Sequence, residues 1–164
     1  MRKLVIYTLL FFCQVIMAQS ASEAESLFNS KQYAKAKTMY EALLKKKPND
    51  ALNNYRLARC CYELNQYEDA VKYFERSGNR YTLKDLYLGE AYFHTYRFDL
   101  SVSAYQTFIA TLTSTDERLE ELNLKLKKSE LAARLLNRVE DIAVVDSQVV
   151  NKIDFLRYYK FSKE

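Results

Sequence analysis

Glycine and proline are nearly missing from this chain, which has two glycines, Gly78 and Gly89, and a single Pro48 in 164 residues. Sheet proteins turn often, and turns draw on both residue types, so their scarcity predicts an all-α fold. Tryptophan is absent, while there are 14 tyrosines and 9 phenylalanines, so single rings do most of the packing. There is one histidine, His94, and no glycine-rich run that could cradle a phosphate. Zinc sites need several nitrogen or sulfur ligands, and the inventory is too small for one. Adjacent acidic pairs, Glu120-Glu121 and Glu140-Asp141, diverge on a helix, whereas paired-carboxylate chemistry needs convergence. No catalytic residue, metal or cofactor is expected, and the chain is read as a non-enzyme.

Cysteine is scarce too. Cys13 lies near the N-terminus, and Cys60 and Cys61 are neighbours. Neighbours on a helix point about 100° apart, and a bridge between them would distort it. Cys61 falls on the apolar side as a small core residue, and Cys60 is expected to be the more accessible of the two.

What is present begins with an apolar run, Leu4 to Met17, behind the basic pair Arg2-Lys3 and ahead of Ala18. This is the pattern of a secretory signal, too short for a confident membrane span. Residues 1–18 are read as that signal, with cleavage after Ala18 and Ser20 as second choice. Their removal lowers the net charge from +4 to +2, and a chain so nearly balanced does not suggest nucleic acid. Export to the periplasm, or association with the outer membrane, is the expected location. Contact with a membrane is expected only through the signal or an envelope partner. Lys45-Lys46-Lys47 complements the negative end of a helix.

Past the signal, three stretches copy one another. Tyr33, Ala36 and Tyr40 recur 34 residues on as Tyr67, Ala70 and Phe74, and 31 further on as Phe98, Ser101 and Tyr105. Helical spacing places helices at 21–29, 33–44, 51–64, 67–76, 83–94 and 98–111. Turns fall at Lys31-Gln32, Asn65-Gln66 and Thr95-Tyr96-Arg97. Asn65 tolerates a left-handed turn, and Pro48 stops the second helix. On the first helices Asn54, Leu57, Ala58 and Cys61 align with Asp85, Leu88, Gly89 and Tyr92.

These residues resemble the tetratricopeptide-repeat family, whose pattern has Leu-Gly and an aromatic on the first helix. Its second helix carries an aromatic, a small residue three later, an aromatic four after that, and a closing proline. The third copy gives Leu88-Gly89 and Tyr92, then Phe98, Ser101 and Tyr105. The second gives Leu57-Ala58 and Cys61, then Tyr67, Ala70 and Phe74. The first gives Ala24 and Leu27, then Tyr33, Ala36, Tyr40 and Pro48. No copy has the family's tryptophan, only one has the proline, and Ser101 stands where alanine is usual. The resemblance covers about residues 20 to 112 and implies a right-handed superhelix of three helix pairs, at about 20–49, 50–80 and 81–112. Stacked repeats need a solvating cap, and residues 113–139 supply one. Thr115 or Asp116 starts that cap, and Leu119, Leu122, Leu126, Leu131, Leu135 and Leu136 are apolar at helical spacing.

From Glu140 the pattern changes. Asp141 to Val150 is β-branched and reads as a strand, and Asn151 starts a short helix through Tyr159. The strand either folds back as helix or pairs with something absent. Residues 138–159 also resemble the junction at which exported Bacteroidetes repeat proteins lead into a TolB-like β-propeller. That makes residues 140–164 the start of a possible C-terminal domain.

The resemblance implies an exported scaffold or adaptor that binds a protein or peptide through the concave face lined by the first helices. Faces left after core assignment offer Glu25, Phe28 and Asn29, then Tyr55, Arg59 and Tyr62, then Leu86, Glu90, Phe93 and His94. Tyr55, Tyr62 and Phe93 are the expected anchors, with Arg59 for an acidic group. The alternative is the N-terminal part of a larger envelope protein whose repeats dock a propeller or an envelope complex.

Overall fold

In the computed structural model, residues 20–145 are described, with side chains to residue 138. Every regular element among them is a helix: α1 (residues 20–29), α2 (Tyr33–Lys46), α3 (Ala51–Glu63), α4 (Tyr67–Arg76), α5 (Lys84–His94), α6 (Phe98–Ile109) and α7 (Leu119–Val145). The chain divides into two compact units, one ending at Tyr96 and one beginning at Arg97. Residues 1–19, which hold the expected signal, lie outside the described residues, as do residues 146–164.

The sequence repeat is also a repeat of backbone angles. Lys31, Asn65 and Tyr96 take positive φ of 58°, 58° and 61°. Each precedes a helix cap of nearly constant conformation: Gln32 at φ −81° and ψ 59°, Gln66 at −90° and 66°, Arg97 at −92° and 63°. At the first two turns the amides of Lys31 and Gln32 reach the carbonyls of Phe28 and Leu27, and those of Asn65 and Gln66 reach Tyr62 and Cys61. This doubly bonded left-handed exit satisfies the orphan carbonyls of a helix end and reverses the chain within three residues.

Between pairs the exits differ. Lys45 and Lys46 occupy the last turn of α2, and after Pro48 the Asp50 side chain accepts from the Asn53 amide at 2.9 Å to cap α3. Buried Asn54 donates to the carbonyls of Pro48 and Asp50 at 3.0 and 2.8 Å, which pins the connecting loop. After α4, Ser77 bonds back to Phe74 and Gly78 takes φ 72°. Here glycine's freedom at positive φ is used.

In the first unit α3 packs on α2, α4 and α5, and α4 packs on α5. Small residues make the approach possible: Ala24, Ala36, Ala58 and Ala70 are fully buried and Gly89 is buried. Tyr40 and Phe74 fill the space above them, both essentially sealed from solvent. Burying such side chains contributes about 1.5–3 kcal/mol each. Tyrosine hydroxyls at the edge of this core are met by carboxylates: Tyr40 donates to Glu25 at 2.9 Å and Tyr92 to Glu75 at 2.8 Å.

In the second unit α6 packs on α7. Leu122, Ser129, Ala133 and Leu136 of α7 are buried. Ser101, the departure from the usual alanine, has its hydroxyl 2.9 Å from that of Ser129, which also lies 3.1 Å from the Lys125 carbonyl. The substitution therefore puts a hydrogen-bonding group where the small-residue rule needs only small volume.

Two expectations are corrected. The strand expected from Asp141 is helix as far as Val145, because α7 carries on through Glu140 and Asp141; the rest of that stretch lies outside the described residues. Cys60 is not accessible: both it and Cys61 are fully buried and free of any disulfide. The helix-spacing estimate missed this because α3 is covered on several sides, by α2, α4 and α5 together.

Candidate functional site

The candidate face is built by α1, α3 and α5, all in the first unit. The 34- and 31-residue steps superimpose its residues in rows. Phe28, Tyr62 and Phe93 form one row, and Glu25, Arg59 and Glu90 another. Asn29, Glu63 and His94 form a third at the turn end.

The charged row is wired to its neighbours. Glu25 binds the Arg56 guanidinium through one carboxylate oxygen and the Tyr40 hydroxyl through the other. Arg59 donates to Glu63 at 2.9 Å, one helical turn on. Its guanidinium lies 3.7 Å from the Tyr87 ring centre and 5.9 Å from that of Phe28, while Arg56 lies 4.7 Å from Phe28. Two arginines thus lie over two rings within cation–π distance, a contact that guanidinium's weak hydration favours. The Arg59 side chain is only 15% exposed. Burial by itself would lower its pKa, but Glu63, Tyr87 and Tyr55 together raise it, so it stays cationic. The Nε atoms of both arginines are buried without a hydrogen-bond partner, so the stacking and the ion pairs hold these side chains in place.

The aromatic row is equally fixed. Tyr62 meets Tyr67 and Tyr87 edge-on at 5.9 and 5.0 Å. Burial and then the Glu90 carboxylate, which accepts from its hydroxyl, push the Tyr62 pKa up. His94 is exposed and stacks flat on Tyr67 at 4.1 Å, with Phe93 edge-on to it at 6.0 Å.

Of the expected site residues, Glu25, Phe28, Arg59, Tyr62, Glu90 and Phe93 are half-buried on the three helices that build this face. Leu86 is half-buried too, and Asn29 and His94 are exposed at the turn end. Tyr55 is different. It is only 8% exposed, stacked on Tyr81 at 4.3 Å and edge-on to Phe74 at 5.9 Å. It is a core residue that supports the face, not an accessible anchor. Its partner Tyr81 comes from the loop after α4, a contact no periodicity within α3 signals.

Arg56, Glu63 and Tyr87 were missed. Arg56 sits one turn before Arg59, and Tyr87 occupies the equivalent position 31 residues on. That register is the signal that would have found both. Among the described residues, no group of three or more His, Cys, Asp or Glu could hold a metal ion, and no helix is long and apolar enough to cross a membrane.

Comparison with known proteins agrees with this architecture. Residues 27–83 match the tetratricopeptide repeat family model. The TPR2B domain of yeast Sti1, solved in complex with pHsp70, superimposes with a TM-score of 0.55 at 13% identity, over 70% of this chain and 96% of that one. The Sgt2 TPR domain from Aspergillus fumigatus gives a TM-score of 0.56 at 21% identity, over 74% of this chain and 82% of that one. No curated protein matches the chain. The fold is that of tetratricopeptide-repeat domains.

Proposed function

We propose that this chain is a non-enzymatic scaffold that binds an extended segment of another protein on the face of α1, α3 and α5. The observation that carries this reading is the half-buried layer in which the Arg59 guanidinium lies over the Tyr87 ring and within 6 Å of Phe28, with Tyr62 edge-on to Tyr87. Tyrosine and arginine dominate the energetics of protein recognition. Here their rotamers are held before any partner arrives, which lowers the entropic cost of binding. The solved Sti1 domain with the same fold is itself in complex with pHsp70. The ion pairs leave no surplus of positive charge on the face, so the partner segment is one of mixed polarity with apolar side chains, not a polyanion.

Peptides selected by the wild-type chain from a display library provide the test. Arg59→Glu combined with Tyr62→Ala weakens their binding at least about tenfold, the scale of one hot-spot loss, with the helical circular dichroism unchanged. Undiminished binding by that variant would sink the assignment.

The proposed location is outside the cytoplasm, with residues 1–18 removed on export; the intact mass of the protein recovered from its source distinguishes a trimmed chain from a full one. The alternative of a repeat region docking a propeller rests on residues 138–159, most of which lie outside the described residues.

A further inference from the structure

Packing accounts for the ring of Tyr40 but not for its hydroxyl. Tyr40 in α2 and Phe74 in α4 hold equivalent places in the first two copies, and both are sealed from solvent, at 2% and 0% exposure. Phe74 fills its place as a bare ring, edge-on to Tyr55. A hydroxyl is therefore not needed there, and burying one is costly unless it is hydrogen-bonded. Tyr40 meets that condition by donating to Glu25 at 2.9 Å. Burial, and then this hydrogen bond, push the Tyr40 pKa above the ordinary tyrosine value, so the proton stays on the oxygen.

The difference between the copies follows the charge on the first helix. Glu25 and Arg59 stand in equivalent positions, and each precedes its ring by 15 residues. A carboxylate accepts from a hydroxyl, whereas a guanidinium only donates and has no use for the hydroxyl proton. The ring that follows Glu25 is Tyr40, and the ring that follows Arg59 is Phe74. The second carboxylate oxygen of Glu25 binds Arg56, whose guanidinium lies 4.7 Å from the Phe28 ring centre. The Arg56 Nε is buried with no hydrogen-bond partner, so Glu25 is the hydrogen-bonded anchor of this side chain.

We propose that Tyr40 is a positioning residue for the face of α1, α3 and α5: its hydroxyl fixes the Glu25 carboxylate, which sets the Arg56 guanidinium over Phe28. The contacts run from α2 through α1 to α3, so a core residue governs the geometry of a face on which it does not itself lie. The consequence for binding rests on the recognition role proposed for that face; the positioning itself does not.

Tyr40→Phe gives the first copy the ring that the second already carries, so helical content and the urea midpoint stay near those of the wild type. Hydrogen exchange at the arginine Nε–H groups of the nitrogen-labelled full chain then reads the contact with no peptide present. Tyr40→Phe speeds exchange at Arg56 about fivefold, the scale of one lost hydrogen bond, and leaves Arg59 unchanged. Glu25→Gln, at a half-buried position, also speeds Arg56. A peptide selected by the wild type binds Tyr40→Phe about fivefold more weakly. Tyr40→Phe weakens that peptide no further in a chain already carrying Glu25→Gln, because the two residues act through one contact. Unchanged exchange at Arg56 overturns the proposal. Exchange that rises equally at Arg59 and at the backbone amides overturns it as well, since it marks a purely structural role. So does a loosened Arg56 with undiminished peptide binding. The recognition reading fails separately, through a peptide indifferent to Arg59→Glu with Tyr62→Ala, whereas exchange at Arg56 is read without any peptide.

Discussion

At the scale of single residues, burial and small size dominate what this chain does. The thiols of Cys60 and Cys61 are pushed up to about 12 by burial, against 9.0 for an ordinary thiol. The unfolded chain therefore ionises them first. Their contribution to stability is complete below pH 9 and is lost as the pH rises toward 12. Mass-spectrometric mapping after iodoacetamide treatment at pH 8 will find both unlabelled in the native protein and labelled in guanidinium. Ser101 and Ser129 make a second residue-scale case. Either serine changed alone to alanine costs about 1 kcal/mol by leaving its partner short of a hydrogen bond, and the double change costs less than the sum of the two. A double-mutant cycle by urea denaturation measures the coupling, and strict additivity would contradict it.

At the scale of elements, the left-handed turns at Lys31, Asn65 and Tyr96 set where each pair reverses. Only Asn65 is a residue that tolerates φ near 58° readily. Lys31→Gly removes a Cβ from a conformation that disfavours it and is expected to stabilise the chain by about 0.5–1 kcal/mol, visible as a higher urea midpoint. Most of the helices were legible in the sequence because their periodicity is strong. Tyr33, Tyr67 and Phe98 each open a helix at the position the repeat assigns. The end of α7 was not legible. Ile142, Val144 and Val145 favour strands by local preference, but β-branching costs a helix only tenths of a kcal/mol per residue, and an established helix propagates over such residues easily. The site was legible in rows and misread in depth. Phe28, Arg59 and Tyr62 follow from helix faces alone. The burial of Tyr55 depends on Tyr81 from a loop, and the role of Arg56 depends on Glu25, 31 residues earlier. Contacts between elements of that kind leave no trace in the periodicity of either element.

At the scale of the whole molecule, the two units carry two different kinds of surface. The first presents rings and arginines held by ion pairs and ring contacts, and in the second Leu124, Leu131 and Leu135 of α7 are exposed. A fold of stacked helix pairs suits this division, because each pair buries one face on its neighbours and leaves the other free to vary. The reading of the first unit as a recognition surface is the central claim, and backbone amide shift mapping tests it most directly. An isotope-labelled chain would be titrated with a peptide selected by the wild type. The largest shifts are expected at Glu25, Phe28, Arg59, Tyr62, Tyr87 and Glu90. Shifts confined to α2 and α4, or to α7, with those six residues unmoved, would contradict the account.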